Sequence, residues 1–258
     1  YEKTAKLLNS NIFINKQVNN EIRDKIEKSL EKNTSNKYFF GKDFNIAKSE
    51  NGFIQYQDQL GELVLPEPSI LGDHQLYNIS TSIAASRKIF NIKDEYIRNG
   101  IKNISLKARL EEIKSGKLKD IAGNNKLVID GGHNISASLS IANWVKNQNE
   151  EANLIVGMMK DKEHVEFIKA FENIVNSITL IDIPNQDGAI AKEDFRKKLD
   201  NLKLNLKLSN GIEESIKSLS KNEDTIILCL GSLYLAGEIL SLNCLLYTSP
   251  SPRDESTS

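Results

Sequence analysis

The stretch Leu127-Val-Ile-Asp-Gly-Gly-His-Asn134 decides the fold. Three apolar residues in a row read as a short buried strand, and two glycines interrupt it. Residues 136–144 then place small and apolar side chains at helical spacing. The same strand-then-helix alternation continues toward the C-terminus. Leu154-Ile-Val156 is a strand and 165–175 a helix. Ile178-Thr-Leu-Ile-Asp-Ile183 is a strand and 193–202 a helix. A weak strand near 204–208 precedes a helix over 212–219. Thr225-Ile-Ile-Leu-Cys-Leu230 is the last strand, with a helix starting near Leu233. Uniformly apolar strands that alternate with helices predict an α/β fold with a mostly parallel sheet covered on both faces. Its crossovers should be right-handed.

The N-terminal side reads differently. Residues 1–8 predict a helix, Asn11-Ile-Phe-Ile14 a strand, and 18–30 a helix on the spacing of Ile22, Ile26 and Leu30. Lys37-Tyr-Phe-Phe40 is a short strand. Asn51-Gly52 is a turn signal between Asp43-Phe-Asn-Ile46 and Phe53-Ile-Gln-Tyr56 and predicts a hairpin. Leu63-Val-Leu-Pro-Glu-Pro68 is extended, because each proline disfavours helix in the residue before it. Helices are expected over 77–90 and 94–101.

Charge and composition exclude several classes. The 258 residues carry 34 Lys and Arg against 35 Asp and Glu, a net charge of −1. That balance argues against a strongly basic nucleic-acid binder and against an acidic solvating tail. Hydrophobic residues make up 39% and charged residues 27%, the profile of a globular chain. No apolar run approaches the roughly 20 residues that cross a bilayer. Neither nucleic acid nor membrane is expected as a partner. The two cysteines, Cys229 and Cys244, allow no disulfide framework or zinc cluster and fit a reducing compartment, so a cytoplasmic location is expected. No secretory signal is visible after Tyr1. Residues 248–258 contain no apolar side chain and cannot form a packed core. Residues 244–254 resemble translated adaptor sequence, and 244–258 are expected to be a non-native or disordered tail.

Ligands of open parallel sheets bind beyond the carboxyl ends of the strands. Two loops fall there: Asp130-Gly131-Gly132-His133-Asn134 and Gly231-Ser232-Leu233-Tyr234. Asp130 can accept from ribose hydroxyls or a cationic amine. The glycines let backbone approach a ligand closely, His133 can donate to a phosphate or carboxylate, and the helix that follows favours anions at its N-terminus. An Asx turn followed by an ordinary cap explains the same residues, and Ser232 before a helix is an ordinary N-cap. Neither G-x-G-x-x-G nor G-x-x-x-x-G-K-[ST] occurs, so no dinucleotide fingerprint or phosphate loop is present. His74 and His164 are too scattered for a metal site, and Arg109 alone reads as a surface arginine. Trp144 and the phenylalanines at helical spacing are most simply core.

In order, seven segments resemble one family, the folylpolyglutamate synthase/dihydrofolate synthase family of the Mur ligase superfamily. Glu2-Lys3-Thr4 is similar to its Glu-Lys-Ala-Gly segment, and Tyr38-Phe-Phe-Gly-Lys-Asp-Phe44 to its "lGrDF" hairpin. Leu65-Pro66 with Leu71-Gly-Asp-His-Gln-Leu-Tyr-Asn78 resembles "LPL…G-x-HQ-x-x-N". Ala108-Arg-Leu-Glu111 resembles "GR-[FL]-[EQ]", and Asp130-Gly-Gly-His-Asn134 resembles Asp-Gly-Ala-His-Asn with Gly132 in place of Ala. Gly157-Met-Met-Lys-Asp-Lys162 resembles "G-x-x-x-DK", and Gly231-Ser-Leu-Tyr-Leu235 resembles "GSLY".

The resemblance implies a fold, a reaction and a site. Residues 1–106 would be the remnant of a P-loop ATPase domain, and 107–243 a Rossmann-like, mostly parallel sheet domain. The reaction would be an ADP-forming ligation in which ATP phosphorylates the carboxylate of dihydropteroate or a folate and the amine of L-glutamate attacks the acyl phosphate. Its cofactors would be ATP and Mg²⁺, and the protein a monomer. Asn78 corresponds to a residue on the adenine, Arg109 to one on the nucleotide phosphates, and Asp130 to one on the ribose. His133 and Ser232 correspond to the glutamate and phosphate end. Lys3 corresponds to a carbamylated lysine at a second Mg²⁺. The family's phosphate loop and its Mg²⁺-binding Glu and His would lie upstream of Tyr1, so the chain alone is expected to be inactive. The longer stretch between Arg109 and Asp130 is expected to be a surface insertion. Two other readings remain: a Mur-type ligase acting on a cell-wall precursor, and a non-catalytic nucleotide-binding Rossmann domain.

Overall fold

The structure is a computed structural model that describes residues 10–17, 19–49, 52–68, 70, 73–221 and 224–244, without the side chains of residues 73 and 74. The helix expected over 1–8, Lys3, and the 244–258 tail apart from Cys244 lie outside these residues. The chain forms two compact units, Tyr1–Ser105 and Leu106–Ser258.

In the first unit, β1 (Asn11–Ile14) leads through α1 (Asn20–Leu30) to a parallel partner, β2 (Asn36–Phe39). The Asn19 side chain caps α1 by accepting the Ile22 N–H. The expected hairpin forms as β3 (Phe44–Lys48) and β4 (Ile54–Asp58), and the proline-flanked extended run adds an antiparallel third strand, β5 (Gly61–Leu65). Alternate residues (Phe44, Ile46, Ile54, Tyr56, Leu63, Leu65) point to one face. There they meet Ile79, Ile83 and Ala84 of α2 (Asp73–Phe90) and Ile97 and Ile101 of α3 (Asp94–Lys102). A buried polar network closes this core. Arg87, 9% exposed, is 3.0 Å from Asp58, and the Tyr56 hydroxyl donates to the same carboxylate at 2.9 Å. Burial, and then the charge of Asp58, push the Tyr56 hydroxyl well above its usual range.

The second unit contains β6 (Glu111–Ile113), α4 (Lys117–Ala122), β7 (Lys126–Ile129), α5 (Ile135–Lys146), β8 (Ala152–Val156), α6 (His164–Lys169), β9 (Ser177–Leu180), α7 (Lys192–Lys198), β10 (Leu206–Leu208), α8 (Ile212–Leu219), β11 (Ile226–Leu230) and α9 (Leu233–Cys244). Its six-stranded sheet runs β10-β9-β8-β11-β7-β6. Five strands are parallel, as the apolar runs predict, and β6 pairs antiparallel with β7 at one edge. Helices α5, α6 and α7 bury Ile141, Phe167 and Phe195 on one face, joined by Phe171 from the turns after α6. Helices α4, α8 and α9 bury Leu118, Ile216 and Ile239 on the other. Burying a side chain of this size stabilises the fold by about 2 kcal/mol.

The stretch between Arg109 and Asp130 is not a surface insertion. It forms β6 and α4, and Leu118 and Ala122 are fully buried. The Asn125 side chain accepts both the Thr225 N–H and its hydroxyl at 2.9 Å, which ties this segment to the start of β11. The Asn243 carboxamide oxygen accepts the Leu118 N–H at 3.0 Å, tying it also to α9. The helix expected over 165–175 ends at Lys169 in turns, and the one expected over 193–202 ends at Lys198.

Candidate functional site

Strand order positions the site. Helices α5 and α6 follow β7 and β8 onto one face, whereas α9 follows β11 onto the other. Since β11 lies between β7 and β8, the chain diverges at its carboxyl end, where open parallel sheets form a crevice. The loops 130–134 and 231–234 meet there, with the Gly231 N–H donating to the Gly132 carbonyl at 3.0 Å.

Glycine is required at this edge by close approach. Gly231 has φ +109°, and a Cβ on it would lie 2.7 Å from the Gly157 carbonyl oxygen. A Cβ on Gly131 would lie 2.2 Å from Leu233 Cδ2 and 3.1 Å from Arg109 Nη1. Arg109 therefore lays its guanidinium along Gly131 at the crevice. Among the described residues the guanidinium donates one hydrogen bond, to the Ala108 carbonyl at 3.1 Å, so most of its five donors are uncommitted.

Asp130 is 3% exposed. One carboxylate oxygen accepts the Leu110 N–H at 2.8 Å and the other the Gly132 N–H at 2.6 Å. His133, half-buried, places Nδ1 3.0 Å from the Gly131 carbonyl, which leaves Nε2 available to a ligand. Asp161, on the loop after β8, is close enough to His133 to feel its charge, although the Lys162 hydrogen bond is the main cause that holds its carboxyl below the ordinary range. Ser232 is 2% exposed and its Oγ accepts the Tyr234 N–H at 3.1 Å, an ordinary capping bond. Arg109, Asp130, His133 and Ser232 thus come together in this unit. Asn78 belongs to the first unit, where it accepts from the Asn15 amide at 2.8 Å and donates to Gln75 at 3.1 Å. Lys3 lies outside the described residues.

The electrostatics of the crevice are distinctive. Helices α4, α6, α7 and α8 each carry an acidic residue in the first turn, whereas α5 and α9, the two that start at the crevice, carry none. Two helix N-termini without acids favour an anion between them. Further along the sheet edge opens a cavity of about 580 Å³ lined by Lys160, Asp182, Gln186, Asp194 and Lys198, a mixed-charge wall. Behind it, His164 is buried with Nε2 3.0 Å from the Met159 carbonyl and Nδ1 3.4 Å from Lys198 Nζ. Nε2 donates and Nδ1 accepts, so His164 holds the loop after β8 in place. Burial, and then the charge of Lys198, push its imidazole below the usual range. Among the described residues no three His, Cys, Asp or Glu side chains converge as metal ligands. No helix of the described residues is long and apolar enough to cross a membrane.

Fold and crevice together define a Rossmann-like α/β domain with an anion-receptive switch point. The family model described as "Dihydrofolate synthetase, C-terminal domain" matches residues 114–242, half of the chain, and the chain belongs to this family. A folylpolyglutamate synthase of Lacticaseibacillus casei is 25% identical over 212 residues, covering 78% of this chain and 46% of the relative. The folylpolyglutamate synthase of Mycobacterium tuberculosis, solved with ADP and AMPPCP, superposes with a TM-score of 0.76 at 17% identity over 91% of this chain and 55% of that one. The bifunctional folylpolyglutamate synthase/dihydrofolate synthase of Yersinia pestis, solved with AMPPNP and a Mn ion, gives 0.74 at 17% identity over 93% and 55%. The chain spans about half the length of the relatives it matches.

Sequence reasoning assigned no role to Glu111, Lys160 or Lys198. Glu111 ends the segment Ala108-Arg-Leu-Glu111 and Lys160 lies within Gly157-Met-Met-Lys-Asp-Lys162, and those segments are the signal that points to them. Lys198 reaches its place only through tertiary packing.

Proposed function

We propose that the chain forms part of an ATP-dependent ligase that adds L-glutamate to dihydropteroate, to folates, or to both. Residues 1–106 are read as the C-terminal part of its ATPase domain and 107–243 as its C-terminal domain. The carrying observation is the pair of acid-free helix N-termini at the β7–β11 crevice, with the uncommitted Arg109 guanidinium beside them.

In this reading Arg109 braces the nucleotide phosphates, for which a planar fork of donors suits bidentate contact. Asp130 meets the ribose; the carboxamide of Asn78, in the first unit, carries the donor and the acceptor that an adenine edge needs. The γ-phosphoryl group passes from ATP to the pteroate or folate carboxylate, releasing ADP. The glutamate amine attacks the acyl phosphate, loses a proton, and expels phosphate as the amide forms. His133 and Ser232 serve the end where phosphate and glutamate meet, and the mixed-charge cavity suits a zwitterionic amino acid. These groups position and neutralise rather than react covalently. Mg²⁺ would offset phosphate charge. The described residues supply no cluster to hold it, and of the chain only Lys3 is assigned to it. A cytoplasmic monomer is the corresponding physiological form.

The test is ADP release by the full-length polypeptide. Release that needs both glutamate and dihydropteroate or a folate is expected. Release with a UDP-muramyl precursor instead, or no ATP binding, overturns the reading.

A further inference from the structure

Ala108 and Leu110 both lie in the left-handed backbone region, at φ 54° and 46°, with Arg109 between them. Left-handed backbone is strained for a non-glycine residue and persists only where neighbours impose it. Both side chains are buried, at 4% and 2% exposure, so neither can relax outward. Polar contacts impose the turn. The Ala108 N–H donates to Glu111 Oε2 at 2.8 Å, and the Ala108 carbonyl accepts the Gly131 N–H at 2.9 Å. The Leu110 N–H donates to Asp130, whose second oxygen takes the Gly132 N–H. Glu111 is itself fixed, by Lys107 at 2.7 Å and by pairing opposite Ile129 in the sheet. The turn is thereby bolted to the loop after β7, and this places the Arg109 guanidinium along Gly131.

We propose that Glu111 is a positioning residue that works with the Asp130 carboxylate as a clamp, forcing Ala108 and Leu110 into a left-handed turn and so aiming Arg109 into the crevice. The functional value of that aim rests on the reading of Arg109 as a nucleotide contact.

The test uses the whole chain and two readouts, amide hydrogen exchange at Leu110 and Gly131, and affinity for ADP. E111A should speed exchange at both amides and weaken ADP binding, each about tenfold. E111Q keeps an acceptor and should leave both within about threefold. Adding A108G to E111A should restore both, because glycine enters the left-handed region without strain. A merely structural loss of packing would not be rescued this way. If E111A does not fold, A108G/E111A decides: folding with normal exchange supports the clamp. Unchanged exchange in E111A, or no rescue by A108G, overturns it. Exchange that responds as expected in a chain that binds no ADP supports the clamp and overturns the nucleotide reading.

Discussion

Arg87 lies against the mostly covered Asp58 and Arg109 near the buried Asp130, and the two arginines are used in opposite ways. Arg87 is consumed by structure: it pairs with Asp58 and donates to the Gly61 and Leu60 carbonyls. Asp130 accepts the backbone N–H groups of Leu110 and Gly132, and among the described residues the Arg109 guanidinium donates one hydrogen bond, to the Ala108 carbonyl. A carboxylate matched by a cation neutralises that cation. A carboxylate that accepts backbone amides sets loop geometry. The first arrangement stabilises a core, and the second prepares a site.

Stability measurements should separate the two arginines most widely. R87A leaves the mostly covered Asp58 without its cation, and removing one partner of a buried pair costs about 3–5 kcal/mol. R109A should change stability by no more than about 0.5 kcal/mol. Urea unfolding of the two variants checks this, and equal losses would erase the distinction.

The glycine edge gives the next largest effect. G231A sets a Cβ against the Gly157 carbonyl, which is backbone and cannot turn away, and does so at a positive φ. A loss of about 2 kcal/mol or more is expected in thermal unfolding. G131A meets mainly the end of the flexible Leu233 side chain, so its loss should be smaller. The reverse order would mean that the crevice is not built on the Gly231–Gly157 contact.

The smallest effect concerns His164, a third kind of match in which a neutral ring serves a backbone carbonyl. Its folded pKa is depressed by burial and by Lys198. The unfolded chain therefore takes up the proton more readily than the folded one. The contribution is fully present above the ordinary imidazole value of about 6.5 and is lost as pH falls below it toward the folded value. Urea midpoints from about pH 8 to about pH 5 should fall more steeply for the wild type than for H164Q. Parallel slopes would contradict a buried neutral imidazole.

The parallel strands were legible because uniformly apolar runs such as Thr225-Ile-Ile-Leu-Cys-Leu230 leave few other readings, and Cys229 sits so deep that burial pushes its thiol up to about 12. Helix α4 was not legible. Lys114, Lys117 and Lys119 surround Leu118 and Ala122, and only packing against α8 and α9 reveals that these two are core. The site loops were legible as glycine-bearing strand ends. The turn at Ala108 was not, since alanine carries no signal for left-handed backbone, and the bond that holds Leu110 comes from Asp130, twenty residues away.

The central claim is that the crevice between the loops 130–134 and 231–234 receives a nucleotide. An ADP titration of the chain followed by amide NMR tests it most directly. Saturable shifts at Gly131, Gly132, His133 and Gly231, lost in R109A while the variant stays folded, are the predicted result. Saturable shifts elsewhere that spare these amides, or binding that R109A leaves intact, would contradict it.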